Sequence, residues 1–274
     1  MAHARDGRTD ATGGRGGGAA RASDEVPDNA SDSPAGRPSD SPAGRASSPS
    51  PSLSLRPPLP PSLASAWDEL VATARRTVAD GLVVGTSGNV SVRVGDTVLV
   101  TPSGVPYDRL TPDDATGVDL AGRQVLGTLV PTSELPMHLA VYRADPGARA
   151  VVHTHAVHAT AVSLLVPELP PVHYMTAALG GPVRVAPYAA YGTGELARGM
   201  LAALADRTGC LLRNHGTITY GTSLDQAYDR TAQLEWMCRL WLTAASVPGR
   251  TPSLLTEAQL AEVSERLRGY GQRS

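Results

Sequence analysis

The segment Ala150-Val-Val-His-Thr-His-Ala-Val-His158 limits the possible folds of this chain more than any other. Its β-branched apolar run favours a strand, and along a strand successive side chains point to opposite faces. Over 151–155 this puts His153 and His155 on one face, one pleat repeat apart. The pair is a two-imidazole chelate or simply two polar residues on a wet face, and the spacing fits both. A catalytic zinc site takes three protein ligands and keeps one position open. A third nitrogen is offered by Arg213-Asn-His-Gly216, which follows the apolar run Cys210-Leu-Leu212.

All 24 basic residues are arginine. Without lysine there is no Schiff-base condensation and no lysine-anchored pyridoxal phosphate, so carbanion chemistry here would need a metal. The 274 residues carry a formal net charge of -2, which does not suggest a polyanion-binding surface or a nucleic-acid partner. Cys210 and Cys238 both lie in apolar contexts and read as buried free thiols. No apolar run reaches the roughly 18–20 residues of a membrane span, and the N-terminus lacks a signal-peptide core. These features lead us to expect a soluble cytoplasmic protein.

Residues 1–61 are built from Gly, Ser, Pro, Ala, Arg and Asp, with Ser-Asp-Ser-Pro-Ala-Gly-Arg occurring at 31–37 and again at 39–45. Too little apolar surface is present to offset the ordering of that backbone, so a disordered tail is expected before one domain over 62–274. From Ser65, read as an N-cap, Trp67, Leu70, Val71, Ala74 and Val78 recur at helical spacing up to Gly81. Val90, Val92 and Val94, then Val98 and Val100, alternate on either side of Gly95-Asp96, the pattern of a hairpin with a two-residue turn. Residues 173–175 read as a strand start, 183–187 as a strand and 194–206 as a helix. Capping-box signatures at Ser223 and Thr256 open two more helices.

Three loops carry hydroxyls or amides next to exposed backbone N–H groups: Gly85-Thr-Ser-Gly-Asn89, Thr101-Pro-Ser-Gly104 and Pro131-Thr-Ser-Glu134. The last opens a helix containing His138, Leu139 and Tyr142. Such loops and helix N-termini suit an anion such as phosphate. Glu134 either complements that helix dipole or serves as an acid/base beside a metal. His3, His138 and His158 read as background or structural residues, and His173, next to Tyr174, is open to either reading.

Taken together, Thr86-Ser-Gly-Asn89, Thr101-Pro-Ser-Gly104, Thr132-Ser-Glu134, His153-Thr-His155 and Asn214-His-Gly216 resemble the class II aldolases of the fuculose-phosphate type, a group that includes 4-epimerases, dehydratases and the adducin head. The resemblance runs from about residue 66 to the C-terminus. It implies a three-layer α/β/α domain around a mixed central β-sheet, assembled as a homotetramer with active sites at subunit interfaces. It further implies one Zn2+ per subunit on His153, His155 and His215, with Glu134 reaching the metal when no substrate is present. The phosphate of a ketose would lie among Gly88, Asn89, Ser103, Gly104, Thr132 and Ser133. Tyr174 corresponds to a tyrosine lent by a neighbouring subunit, and Tyr270 to a C-terminal one at the substrate. Ser103 stands where the family has threonine, and Asn214 where some members have histidine. The expected activity is cleavage of a ketose 1-phosphate. Aldol cleavage of a 5-deoxypentulose 1-phosphate, 4-epimerisation or dehydration of a methylthio sugar phosphate on the same scaffold, or a non-catalytic adducin-like module, are the alternatives.

Overall fold

In a computed structural model, which describes residues 58–269, the apolar run before the histidines forms strand β5 (Ala150–Thr154), the middle strand of a nine-stranded sheet. On one side of it stand β1 (Asn89–Val94), β2 (Thr97–Val100), β3 (Gly117–Asp119) and β4 (Gln124–Leu126). On the other stand β9 (Gly216–Gly221), β8 (Gly209–Leu212), β7 (Val183–Ala186) and β6 (Glu168–Leu169). Only β7 and β8 pair in parallel, so the sheet is mixed. The tail and its repeat, up to residue 57, and Tyr270 lie outside the described residues.

The alternation of side chains sets the layers. Val151, Val98, Cys210 and Leu212 pack on the face covered by α2 (Leu135–Ala144) and α4 (Gly194–Ala203). Their sequence neighbours Ala150, Val152, Leu99 and Leu211 turn to the opposite face, under α1 (Pro61–Ala79), α3 (Val157–Leu165) and α5 (Leu224–Ala245). A last helix, α6 (Glu257–Arg268), packs on a 3-10 helix over Tyr174–Leu179. Val151 and Val152 are both 0% exposed. Burial of a side chain of that size is worth about 1.5–3 kcal/mol, so β5 is a stiff mount for the histidines at its end. The expected three-layer architecture is present. No described helix is long and apolar enough to cross a membrane.

The hairpin is as expected: Val94 pairs with Thr97, and Gly95, at φ 58, makes the left-handed corner between them. Four local expectations are corrected. Helix α1 begins at Pro61, not Ser65, because proline is well suited to the first turn, where its missing N–H is not needed; Ser65 instead bonds Glu69 within the helix at 3.4 Å. Residues 173–175 do not start a strand: His173 Nδ1 accepts from the Met175 N–H and caps the 3-10 helix. Helix α4 stops at Ala203 rather than Asp206, which takes a left-handed φ of 59. Ser223 does cap α5, but Gln226 Oε1 accepts from Thr222 N, so the reciprocal half of that box is missing.

Candidate active site

Four side chains from three separate places meet on the α2 side of the sheet. Glu134 is the residue immediately before α2, His153 sits on β5, His155 just beyond its end, and His215 in the tight turn between β8 and β9. That turn requires Asn214 at φ 56, a conformation asparagine tolerates better than most residues. Register does the rest: Asn89 lies opposite His153 across β1 and β5, and β9 pairs with β5 on the other side.

The three imidazoles stand like blades about one axis. Their centroids are 4.8–4.9 Å apart and the rings are inclined by 72–77° to one another. His153 donates from Nδ1 to the Thr217 carbonyl at 2.7 Å, which leaves the Nε2 lone pair facing the centre. That Nε2 is 3.0 Å from His155 Nε2 and 3.0 Å from Glu134 Oε2. Glu134 Oε1 lies 3.1 Å from His215 Nε2 and, although buried, has no hydrogen-bond partner among the described residues.

These contacts test whether a divalent ion fits. Lone pairs turned toward one point repel unless a cation lies between them, and an orphaned buried carboxylate oxygen costs free energy unless something binds it. Ligands about 2.0–2.1 Å from a tetrahedral zinc would stand about 3.3 Å from each other, close to the separations found here. Glu134, His153, His155 and His215, with all donor atoms within 4.8 Å of one another, could therefore hold a metal ion. Burial, reinforced by His153 and His215, lowers the pKa of His155 to about 4, so its ring is neutral at pH 7. Burial alone would disfavour a charged Glu134; a proton on His153 or His215, or a cation in its place, outweighs it together with the Asn89 amide and holds the carboxyl well below the usual carboxylate range.

Above the cluster opens a cleft of about 330 Å³. His155, His215 and Glu134 form part of its lining, whereas His153 is completely buried beneath. All six residues expected at a phosphate line it too: Gly88 and Asn89 from the first loop, Ser103 and Gly104 from the second, Thr132 and Ser133 from the third. The second and third loops are joined backbone to backbone, Ser103 N to Val130 O at 2.9 Å and Thr132 N to Thr101 O at 3.2 Å. Among the described residues no arginine lines the cleft, so an anion held by them would be bound by hydroxyls, amides and backbone N–H groups.

Tyr188 and Tyr191 also line this cleft, and sequence reasoning missed both. The available signal was a pair of tyrosines in the small-residue stretch after β7. Their loop is tied down at Gly192, φ 73, where a Cβ would stand 2.7 Å from the Ser133 carbonyl. Tyr174 is not in the cleft of its own chain. It is half exposed and packs on His173, centroids 4.4 Å apart, which in turn meets Trp236 at 4.7 Å. His158 is structural: the Glu235 carboxylate accepts from the N–H groups of His158 and Ala159 and so caps α3.

Glycines give the cluster its tightness. A Cβ on Gly216 would fall 2.1 Å from the Thr154 carbonyl, between the two strands that carry His155 and His215. Gly216→Ala should push β9 from β5, lowering stability by about 1–3 kcal/mol as overpacking typically does. Thermal unfolding of the metal-free variant and its metal content, both expected to fall, check this.

A cluster of three histidines from strand ends and a carboxylate from the start of a helix, on the floor of a hydroxyl-lined cleft, defines an α/β protein with a group that could hold a metal ion. Residues 68–242 match the family described as Class II Aldolase and Adducin N-terminal domain, and the chain belongs to that family. The L-fuculose phosphate aldolase of Escherichia coli K12 is 40% identical over 206 residues, covering 75% of this chain and 95% of that protein. The 5-deoxy-D-ribulose 1-phosphate aldolase of Bacillus thuringiensis is 35% identical over 207 residues, 75% of this chain and 96% of its own. Among solved structures, an L-fuculose 1-phosphate aldolase superposes with a TM-score of 0.72 at 32% identity, covering 74% of this chain and 96% of that one.

Proposed function

We propose that this protein is a zinc-dependent aldolase that cleaves a ketose 1-phosphate, L-fuculose 1-phosphate or a close deoxy-ketose 1-phosphate. The products are dihydroxyacetone phosphate and an aldehyde, L-lactaldehyde in the first case. The observation that carries this reading is the four-donor cluster lying directly under the hydroxyl-lined cleft. His153, His155 and His215 would hold one zinc per subunit, with Glu134 joining them while substrate is absent. When bound, the ion supplies Lewis-acid stabilisation of the negative charge left on the carbonyl half as C3–C4 breaks.

The remaining chemistry belongs to the chain. The phosphate is held among Gly88, Asn89, Ser103, Gly104, Thr132 and Ser133, and Tyr270 is assigned to the substrate on the family resemblance alone. In the condensation direction, ionised Glu134 takes a proton from C3 of dihydroxyacetone phosphate, and Tyr174 of a second copy gives one to the aldehyde oxygen that becomes the C4 hydroxyl. Cleavage runs the same two transfers backwards. The exposed Tyr174 ring, next to His173 and a Trp236 that is 45% exposed, supports placing it on a face that another copy covers in a homotetramer.

Assaying dihydroxyacetone phosphate released from L-fuculose 1-phosphate tests the reaction; an epimer or a dehydration product without triose phosphate would end the aldolase reading. A second substrate, 5-deoxyribulose 1-phosphate, is favoured by the 35% identity to an aldolase named for it. Both yield the same triose phosphate and differ in the aldehyde, so the ratio of kcat/KM for the two decides. Tyr174→Phe and His155→Ala should each be nearly inactive alone, yet co-assembled from equal amounts they should recover about a quarter of wild-type activity, because random mixing leaves some sites with both groups intact. No recovery would place Tyr174 outside the shared site.

A further inference from the structure

One more histidine is connected to the cluster without being a ligand. Glu134, His138 and Tyr142 are spaced by four along the start of α2 and form one stripe, while Asn89 and Ser91, two apart on β1, face it. All five are buried. Asn89 Nδ2 donates to Glu134 Oε2 at 3.0 Å, and Asn89 Oδ1 lies 2.5 Å from His138 Nε2. His138 Nδ1 is 2.7 Å from Ser91 Oγ, which is 2.7 Å from the Tyr142 hydroxyl.

The chemistry of each group fixes the direction of every proton. An ionised carboxylate only accepts, so Asn89 turns its NH2 to Glu134 and its carbonyl to His138. That carbonyl also only accepts, so His138 carries its proton on Nε2 and Nδ1 accepts from Ser91. Ser91 in turn accepts from Tyr142. The whole chain therefore donates toward Glu134. Burial, with His153 nearby, lowers the pKa of His138 to about 3, consistent with one neutral tautomer at pH 7.

We propose that His138 is a positioning residue: through Asn89 it fixes the direction in which the Glu134 carboxylate points, and so both its reach to the ion and its alignment on the C3 proton. This rests on the metal and aldolase reading given above for Glu134. Asn89 cannot hold both of its roles, at the phosphate and at Glu134, if its amide is free to flip, and His138 is the contact that forbids the flip.

In zinc-loaded, 15N-histidine-labelled enzyme at pH 7, long-range proton–nitrogen correlations of the His138 ring should show Nε2 protonated and Nδ1 bare; the opposite tautomer would overturn the proposal. Two variants separate positioning from packing. His138→Gln puts its amide nitrogen near the original Nε2 and keeps the link to Asn89, whereas His138→Asn reaches only the Ser91 side. The Asn variant should lose about 10–100-fold in kcat and about 10-fold in zinc affinity by chelator competition, as removal of an outer partner of a metal ligand does, while the Gln variant keeps most of both. Equal loss in both variants, or no loss in either, refutes the role. Should wild-type enzyme fail to turn over ketose 1-phosphates, the proposed reaction falls, but the tautomer and the zinc affinities still decide whether His138 positions Glu134.

Discussion

Replacing His155 with alanine should remove the proposed zinc ion almost entirely and lower turnover by at least about 10³-fold. The size follows from what a Lewis acid contributes to a developing negative charge, several kcal/mol, at 1.36 kcal/mol for each factor of ten. Two imidazoles and a carboxylate would remain, but the vacated place in the cluster faces the cleft and would fill with water. Folding should be largely spared. His155 lies beyond the end of β5 and is only partly buried, and its loss relieves the crowding of its Nε2 against that of His153. Metal analysis, steady-state rates and thermal unfolding of the metal-free proteins measure the three parts separately. The comparison must be metal-free to metal-free, because an ion that binds only the native state raises wild-type stability by itself. A variant that keeps its zinc and full activity would contradict the ligand assignment.

Glu134→Gln separates metal binding from proton transfer. The amide has nearly the shape of the carboxyl and can still accept from Asn89, so the hydrogen bond at 3.0 Å can persist. Three histidines suffice for a catalytic zinc site, so most of the metal should stay. The capacity to take a proton is lost, however, and kcat should fall by about 10²–10⁴-fold, the usual contribution of a positioned acid/base. Exchange of the C3 proton of dihydroxyacetone phosphate with solvent deuterium, followed by NMR, reads that step without any aldehyde present. Wild-type exchange in this variant would remove Glu134 from the proton transfer and leave it as a ligand only.

The parts of the site that were legible in the sequence are those fixed by short-range geometry. A period of two puts His153 and His155 on one face wherever the strand lies, and Gly95-Asp96 closes a hairpin because glycine accepts a left-handed φ. His138 carries no local sign of the strand that will face it, as is true of any histidine inside a helix; its bond to Asn89 exists only once β1 lies beside α2. Tyr188 and Tyr191 were missed for a similar reason: loop aromatics acquire a function only from the cleft they face. The supposed strand at 173–175 failed because the His173 ring caps the following turn, and such a side-chain bond is not visible in an apolar pattern.

The sequence alone determined that any carbon–carbon chemistry here must dispense with a lysine Schiff base, that two imidazoles share a face, and that three hydroxyl-bearing loops were available for an anion. Only the tertiary structure decided that Glu134 and His215 join those imidazoles within reach of one ion, and that Asn89 meets Glu134 on one side and His138 on the other. The reason is physical: spacing along a chain fixes the direction of a side chain over a few residues, whereas the meeting of distant ones depends on strand register and on apolar packing across the sheet, which place β1 and β9 on either side of β5.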